Sequence, residues 1–178
     1  IGRLVGSEMC IRDSTEIQGV LDTGTIELFG MTYHPSHPTL EGYRWIDYAL
    51  VDNPDVTIFI AIPWLTDPVE ITAADYDDAY PAGYPGIVSA LIDPLRAEYP
   101  DTTFFATPYG FSAVELYNRW DAGTLTDVSE LVGSSGSGVF RDDFGHADLI
   151  LEDLASLVWL QAIYGVDLAT FDLSLIHI

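Results

Sequence analysis

Lysine is absent from the chain, and its 6 basic residues, all arginine, stand against 28 acidic ones for a formal net charge of -22. That imbalance excludes two broad classes of partner. A nucleic acid is held by basic side chains that neutralise phosphates and release counterions, and an anionic membrane surface attracts the same side chains, so neither is expected to bind. Without lysine there is no Schiff-base chemistry and no P-loop, whose lysine must reach the β- and γ-phosphates. The run Gly133 to Gly138 (GSSGSG) and the triplet Asp143-Phe144-Gly145 are therefore not read as nucleotide or kinase motifs. Cysteine occurs once, at Cys10, which rules out a disulfide framework and a thiolate metal cluster. No apolar run approaches the roughly 20 residues that a membrane-spanning helix needs.

What remains is a chain of 178 residues, 48% hydrophobic, enough apolar material for the core of one globular domain. Its ends differ from its middle. Residues 1–14 (IGRLVGSEMCIRDS) and 173–178 (LSLIHI) hold Arg3, Arg12, Glu8, Asp13 and the single cysteine. Both strings resemble translated adapter read-through at the edges of reading frames assembled from environmental shotgun sequence. They are set aside as non-native, which leaves 15–172 as the domain and implies a natural start upstream. That middle still carries -22, a balance that suits a bacterial protein facing high salt or the cell exterior, secreted or periplasmic, where surface carboxylates hold hydration.

Short β-rich runs alternate with helical periods. Thr25 to Phe29 (TIELF), Val56 to Ile62 (VTIFIAI) and Thr102 to Ala106 (TTFFA) read as strands, the second apolar almost throughout, as a strand covered on both faces should be. Ile87, Leu91 and Leu95, with Val88 and Ile92 beside them, mark one face of a helix ending near Tyr99-Pro100. Ser112 to Trp120 reads as a helix capped by Ser112. A last helix spans about Ala147 to Tyr164, with Ile150, Leu154, Leu157 and Val158 facing in, Asp148 and Glu152 facing out, and Gly165 as its stop. This order predicts an α/β fold with a parallel sheet, right-handed crossovers and helices on both faces. Ligands of such a sheet bind at the carboxyl ends of its strands, here the segments 30–40, 63–70, 107–111 and 138–146.

The residues best suited to chemistry are Asp142-Asp143-Phe144-Gly145-His146, between the Gly/Ser loop and the final helix. An aspartate three residues before a histidine on a tight loop can turn its carboxylate to the imidazole Nδ1, fixing the tautomer and leaving Nε2 as a general base. The alternative is a helix-capping aspartate followed by a surface histidine. His34 and His37, each followed by proline, could join Asp67 or Asp142 as metal ligands, line a substrate cleft, or belong to a plain loop. Trp64 and Tyr109 could form apolar walls for a substrate or pack beneath loops.

Phe140 to Leu168, with its Asp-x-x-His and its helix closed by an aromatic-Gly turn, resembles the last block of the SGNH, or GDSL-like, hydrolases. Leu95 to Pro108 is similar to that family's passage of helix, Tyr-Pro, strand and Pro, and Val56 to Trp64 to its central strand; the likeness spans roughly residues 20 to 170. The resemblance implies a flavodoxin-like three-layer α/β/α sandwich and a serine esterase, an acyl or acetyl hydrolase acting on a small-molecule or carbohydrate ester without a cofactor. It makes His146 the base and Asp143 the orienter, with Asp142 a loop or capping residue, and places Gly30 where a backbone N–H would hold the oxyanion.

Two of the family's features are missing. Its Gly-Asp-Ser or Gly-Asn-Ser nucleophile turn has only Asp13-Ser14-Thr15 as a local look-alike, with arginine where glycine belongs, and Ser7 as a weaker one. Its asparagine after the central strand is replaced by Pro63-Trp64-Leu65-Thr66-Asp67. The resemblance also sets the nucleophile strand between the first two strands seen here, so the chain is expected to lack a central strand and to be inactive on esters. The competing readings are a metal-binding hydrolase using His34, His37, Asp142 or Asp143, and His146, and a non-catalytic α/β interaction domain.

Overall fold

The computed structural model describes residues 15–33, 40–72, 74–75, 83–126 and 128–170. Helix α1 (15–21) leads into strand β1 (Leu28–Thr32), followed by α2 (Leu40–Asp52) and β2 (Thr57–Ala61). A long helix α3 (83–98), strand β3 (Phe104–Thr107) and α4 (Gly110–Asp121) come next. Two short strands, β4 (Glu130–Val132) and β5 (Gly138–Phe140), precede α5 (Leu149–Tyr164). β1, β2 and β3 form a parallel sheet in that order, and β4 and β5 a second parallel pair. The fold is α/β, as the alternation of strand and helix patterns predicts.

β2 is apolar throughout because both of its faces are covered. Ile58 and Ile60 point to one face with Phe104 and Ala106 of β3, and all four are buried. Successive crossovers that move the same way across a sheet place their helices on one side. α2 and α3 accordingly bring Ile46, Ile92 and Leu95 into the core with these residues. Burying each aliphatic side chain of this kind stabilises by about 1.5–3 kcal/mol. On the opposite face Phe59 stacks on Phe105, and the edge of Phe59 meets Trp159 of α5, both at 5.5 Å between ring centres.

Several local expectations are corrected. β1 lies three residues later than the TIELF run, because the chain entering it is tied to Asn53: the Asn53 carboxamide accepts from Ile26 N–H and donates to the carbonyls of Leu21 and Ala49. β1 also pairs directly with β2, Thr57 N–H donating to Glu27 O at 2.9 Å and Tyr33 N–H to Ala61 O at 2.8 Å. No vacant place for a central strand separates them. These two bonds fix the alternation along β1, so the N–H of Gly30 points to the strand's open side.

The helix over 83–98 contains a π turn at Val88–Ile92, where Asp93 N–H reaches Val88 O. Pro94 has no N–H, and its ring would crowd a regular helical turn, so the backbone widens just ahead of it. Ser112 is not a cap. It lies inside α4, whose N-cap is Tyr109, and its buried hydroxyl has no hydrogen-bond partner among the described residues. In α5 the fully buried residues are Leu151 and Ala155, while Ile150, Leu154, Leu157 and Val158 are half-buried; Gly165 closes the helix in the left-handed region as expected.

Asp148 faces in rather than out. It is buried at the start of α5, and its Oδ2 accepts the N–H groups of Gly136 and Gly138 at 2.8 and 3.2 Å. The Gly/Ser run is thereby a fixed structure. Parallel strands ordinarily need a crossover of a dozen residues or more. Here 133–137 suffices, since Ser135 and Gly136 take positive φ angles of 60° and 88°. Gly133 approaches Gly138 too closely for a side chain on Gly138, where a Cβ would lie 2.4 Å from Gly133 N.

Asn53 is the buried polar side chain that joins α1, α2 and the entry to β1. Replacing it with alanine leaves Ile26 N–H and Leu21 O without their partner, so Asn53→Ala should lower unfolding free energy by about 1–3 kcal/mol in urea denaturation. Val51→Ala, on the exposed side of the same helix, should change it by less than about 0.5 kcal/mol.

Candidate active site

Three of the four segments assigned to the sheet's carboxyl end converge. Ile62 N–H donates to Thr107 O and Gly110 N–H to Ile62 O, which locks the exit of β2 to the turn between β3 and α4. Trp64 then lies with its ring edge-on to Tyr109, 5.2 Å between centres, and its Nε1–H donates to Gly145 O at 2.7 Å. The chain around Gly145 therefore sits over the β2 exit, a Cβ there meeting Pro68 Cδ at 3.3 Å. His34 and His37 belong to the fourth segment and fall outside the described residues, as do Ser7 and Ser14.

The histidine is carried by a hairpin. After β5, Arg141 N–H donates to His146 O and Phe140 forms an antiparallel bridge with Ala147, so residues 142–145 make the turn. Gly145 takes φ 86°, a left-handed conformation suited to glycine. In this arrangement Asp142 stands beside His146, whereas Asp143 is at the tip. Asp142 Oδ1 accepts the N–H groups of Phe144 and His146, both at 3.2 Å, and Oδ2 lies 2.7 Å from His146 Nδ1. The carboxylate that reaches the imidazole is thus Asp142, four residues before the histidine, and not Asp143. Asp143 is exposed, and its side chain makes no hydrogen bond among the described residues.

The pair is open to water, with 59% of the His146 side chain and 38% of the Asp142 side chain exposed. Its importance is therefore geometric, since exposed ion pairs add little to stability. Desolvation beside the turn raises the Asp142 pKa. The hydrogen bonds and charge of His146, with the Phe144 N–H, outweigh that effect and hold it below the ordinary value. Among the described residues Asp142 is the one hydrogen-bond partner of the ring, so Nε2 faces outward, with the exposed ring of Phe144 beside it at 6.5 Å.

Gly30 lies inside β1, opposite Phe59, rather than after the strand. The lack of a side chain there is accounted for by packing: a Cβ would stand 2.0 Å from Phe59 Cζ, so the ring covers it. Asp67 takes φ 60° and accepts from the Thr66 hydroxyl. Burial raises the Tyr109 phenol pKa, keeping the hydroxyl protonated. Among the described residues no group of three or more His, Cys, Asp or Glu is placed to hold a metal ion.

The role of Trp64 was not legible as a hydrogen bond across 81 residues. The nearness of Asp142 could have been read from Gly145, because a glycine just before the histidine marks a four-residue hairpin turn that pairs positions 141 and 146. No family model, curated protein or solved structure matches the chain.

The lowered Asp142 pKa gives a pH signature. A carboxyl group depressed in the folded state contributes stability above its unfolded value of about 3.9 and loses it as pH falls through the folded one. Urea midpoints of wild type and Asp142→Asn should therefore differ slightly at pH 6 and converge in acid.

Proposed function

We propose that the chain supplies the base and its orienting carboxylate to an ester hydrolase of the SGNH type. The observation that carries this reading is the 2.7 Å contact between Asp142 Oδ2 and His146 Nδ1 on a hairpin over the carboxyl end of β2. An imidazole held this way keeps its proton on Nδ1, so Nε2 can accept one from a serine hydroxyl as that oxygen attacks an ester carbonyl. The Asp142 carboxylate stabilises the imidazolium that forms, and Nε2 then returns the proton to the leaving alcohol. Asp142 takes the orienting role that the family resemblance alone gives to Asp143.

The substrate class is a small-molecule or carbohydrate ester, and the chemistry needs no cofactor. The nucleophile is Ser14, Ser7 or a serine supplied by sequence upstream of this chain. An oxyanion donor on a side chain is unassigned, because Trp64, near the place of the family's asparagine, spends its N–H on Gly145.

Hydrolysis of p-nitrophenyl acetate tests the reading, in this chain and in one preceded by its native upstream sequence. In whichever form is active, His146→Ala should lower kcat/KM by about 10²–10⁴-fold. Asp142→Asn should cause a comparable loss and Asp143→Asn almost none. Activity abolished by Ser14→Ala or Ser7→Ala would locate the nucleophile. If neither form exceeds its His146→Ala variant, or if Asp143→Asn is the more damaging change, the reading fails.

A further inference from the structure

We propose that Trp64 is a positioning residue: its indole N–H fixes the peptide unit that carries His146 and so sets the plane of the imidazole against Asp142. The peptide between Gly145 and His146 is held from both sides. Its carbonyl, on Gly145, accepts from Trp64 Nε1 at 2.7 Å, and its N–H, on His146, donates to Asp142 Oδ1 at 3.2 Å. The same carboxylate then reaches the ring through Oδ2 at 2.7 Å. One bond ties the unit to the sheet's edge, and the other two tie it to its own turn.

Trp64 is itself fixed. It follows Pro63, whose carbonyl is so close to Gly110 that a Cβ there would stand 2.3 Å from it, and its ring abuts Tyr109. The indole therefore has little freedom to follow the hairpin if the hairpin moves. Gly145, at φ 86°, sits in a backbone conformation in which neighbouring peptides reorient easily, so a fixed acceptor on its carbonyl limits that motion. The tie matters most because more than half of the His146 side chain is exposed, so packing holds the ring only in part. Its consequence for catalysis rests on the ester-hydrolase reading, whereas the positioning itself does not.

The test uses proton NMR of the full chain in water without substrate. Trp64 Nε1–H, assigned by its loss in Trp64→Phe, should exchange with solvent about tenfold or more slowly than a free indole, as one hydrogen bond requires. Trp64→Phe keeps a ring against Tyr109 while removing the donor and part of the indole's volume. In that variant the hydrogen-bonded Nδ1–H signal of His146, assigned with His146→Gln, should broaden or exchange about tenfold faster. Backbone amides of β2 and β3 should stay protected. Phe105→Leu, which loosens the stack on Phe59 and keeps the donor, should leave the Nδ1–H signal in place.

An unchanged Nδ1–H signal in folded Trp64→Phe overturns the proposal, and so does an equal loss in Phe105→Leu. If Trp64→Phe does not fold, as lost sheet protection would show, Trp64 Nε1–H is assigned instead by its nuclear Overhauser contacts to Tyr109 and Gly145, and its wild-type exchange decides: slow exchange upholds the tie and free-indole exchange ends it. Ester hydrolysis is not among these readouts, so a failure of the hydrolase reading and a failure of this one are told apart.

Discussion

The backbone pairing between Ile62 and the turn at 107–110 carries the candidate site. β2 is bonded on both sides, and the Ile62 carbonyl just past it is taken by Gly110 N–H at 2.8 Å, so the exit of the chain from the sheet is fixed. That exit places Trp64 against Tyr109 and beneath Gly145. Gly110 is required by this closeness, not by any unusual dihedral angle, since any side chain there would meet the Pro63 carbonyl. A buried sheet with three short strands thus determines where a solvent-exposed histidine stands, through one turn and one indole.

The parts of the structure legible in the sequence are those written in periodicity. The run of apolar residues from Val56 to Ile62 marks β2 because a strand covered on both faces has no polar side to show, and Gly165 marks the end of α5 because its left-handed conformation is local. The boundaries of β1 were less legible, since a buried carboxamide on Asn53, 27 residues from Ile26, decides where pairing begins. The parallel pairing of β4 and β5 was hidden in a run of glycine and serine that composition alone presents as flexible. Its order comes from Asp148, whose place at a helix start suggests a cap but whose carboxylate turns the other way. At the site, the residue types were readable and the partner was not: two adjacent aspartates compete for one histidine, and the choice follows from hairpin geometry, which sets Asp143 at the tip.

The electrostatic setting of the pair is unusual for its scarcity of positive charge. The ion pairs among the described residues join Arg96 to Asp93, Arg119 to Glu115 and Arg141 to Glu152, all on the surface. Surface pairs of this kind contribute about 0–1 kcal/mol each, so apolar burial and backbone pairing must hold the fold. Against a background of -22, an anionic ligand meets repulsion.

Among the described residues β1 lies at the rim of its sheet, with the outward N–H of Gly30 and the partly exposed side chain of Leu28 along it. Exposed strand rims of this sort invite a second chain to add on, and many proteins guard them with a lysine or a proline placed in the strand itself. Leu28–Thr32 has neither. The safeguard left to this molecule is collective: copies bearing -22 each repel one another before their rims can meet. That safeguard has a range set by dissolved ions, about 10 Å at 0.1 M salt and about 3 Å at 1 M. Brine would thus bring such copies within reach of rim-to-rim joining, and dilute buffer would keep them apart.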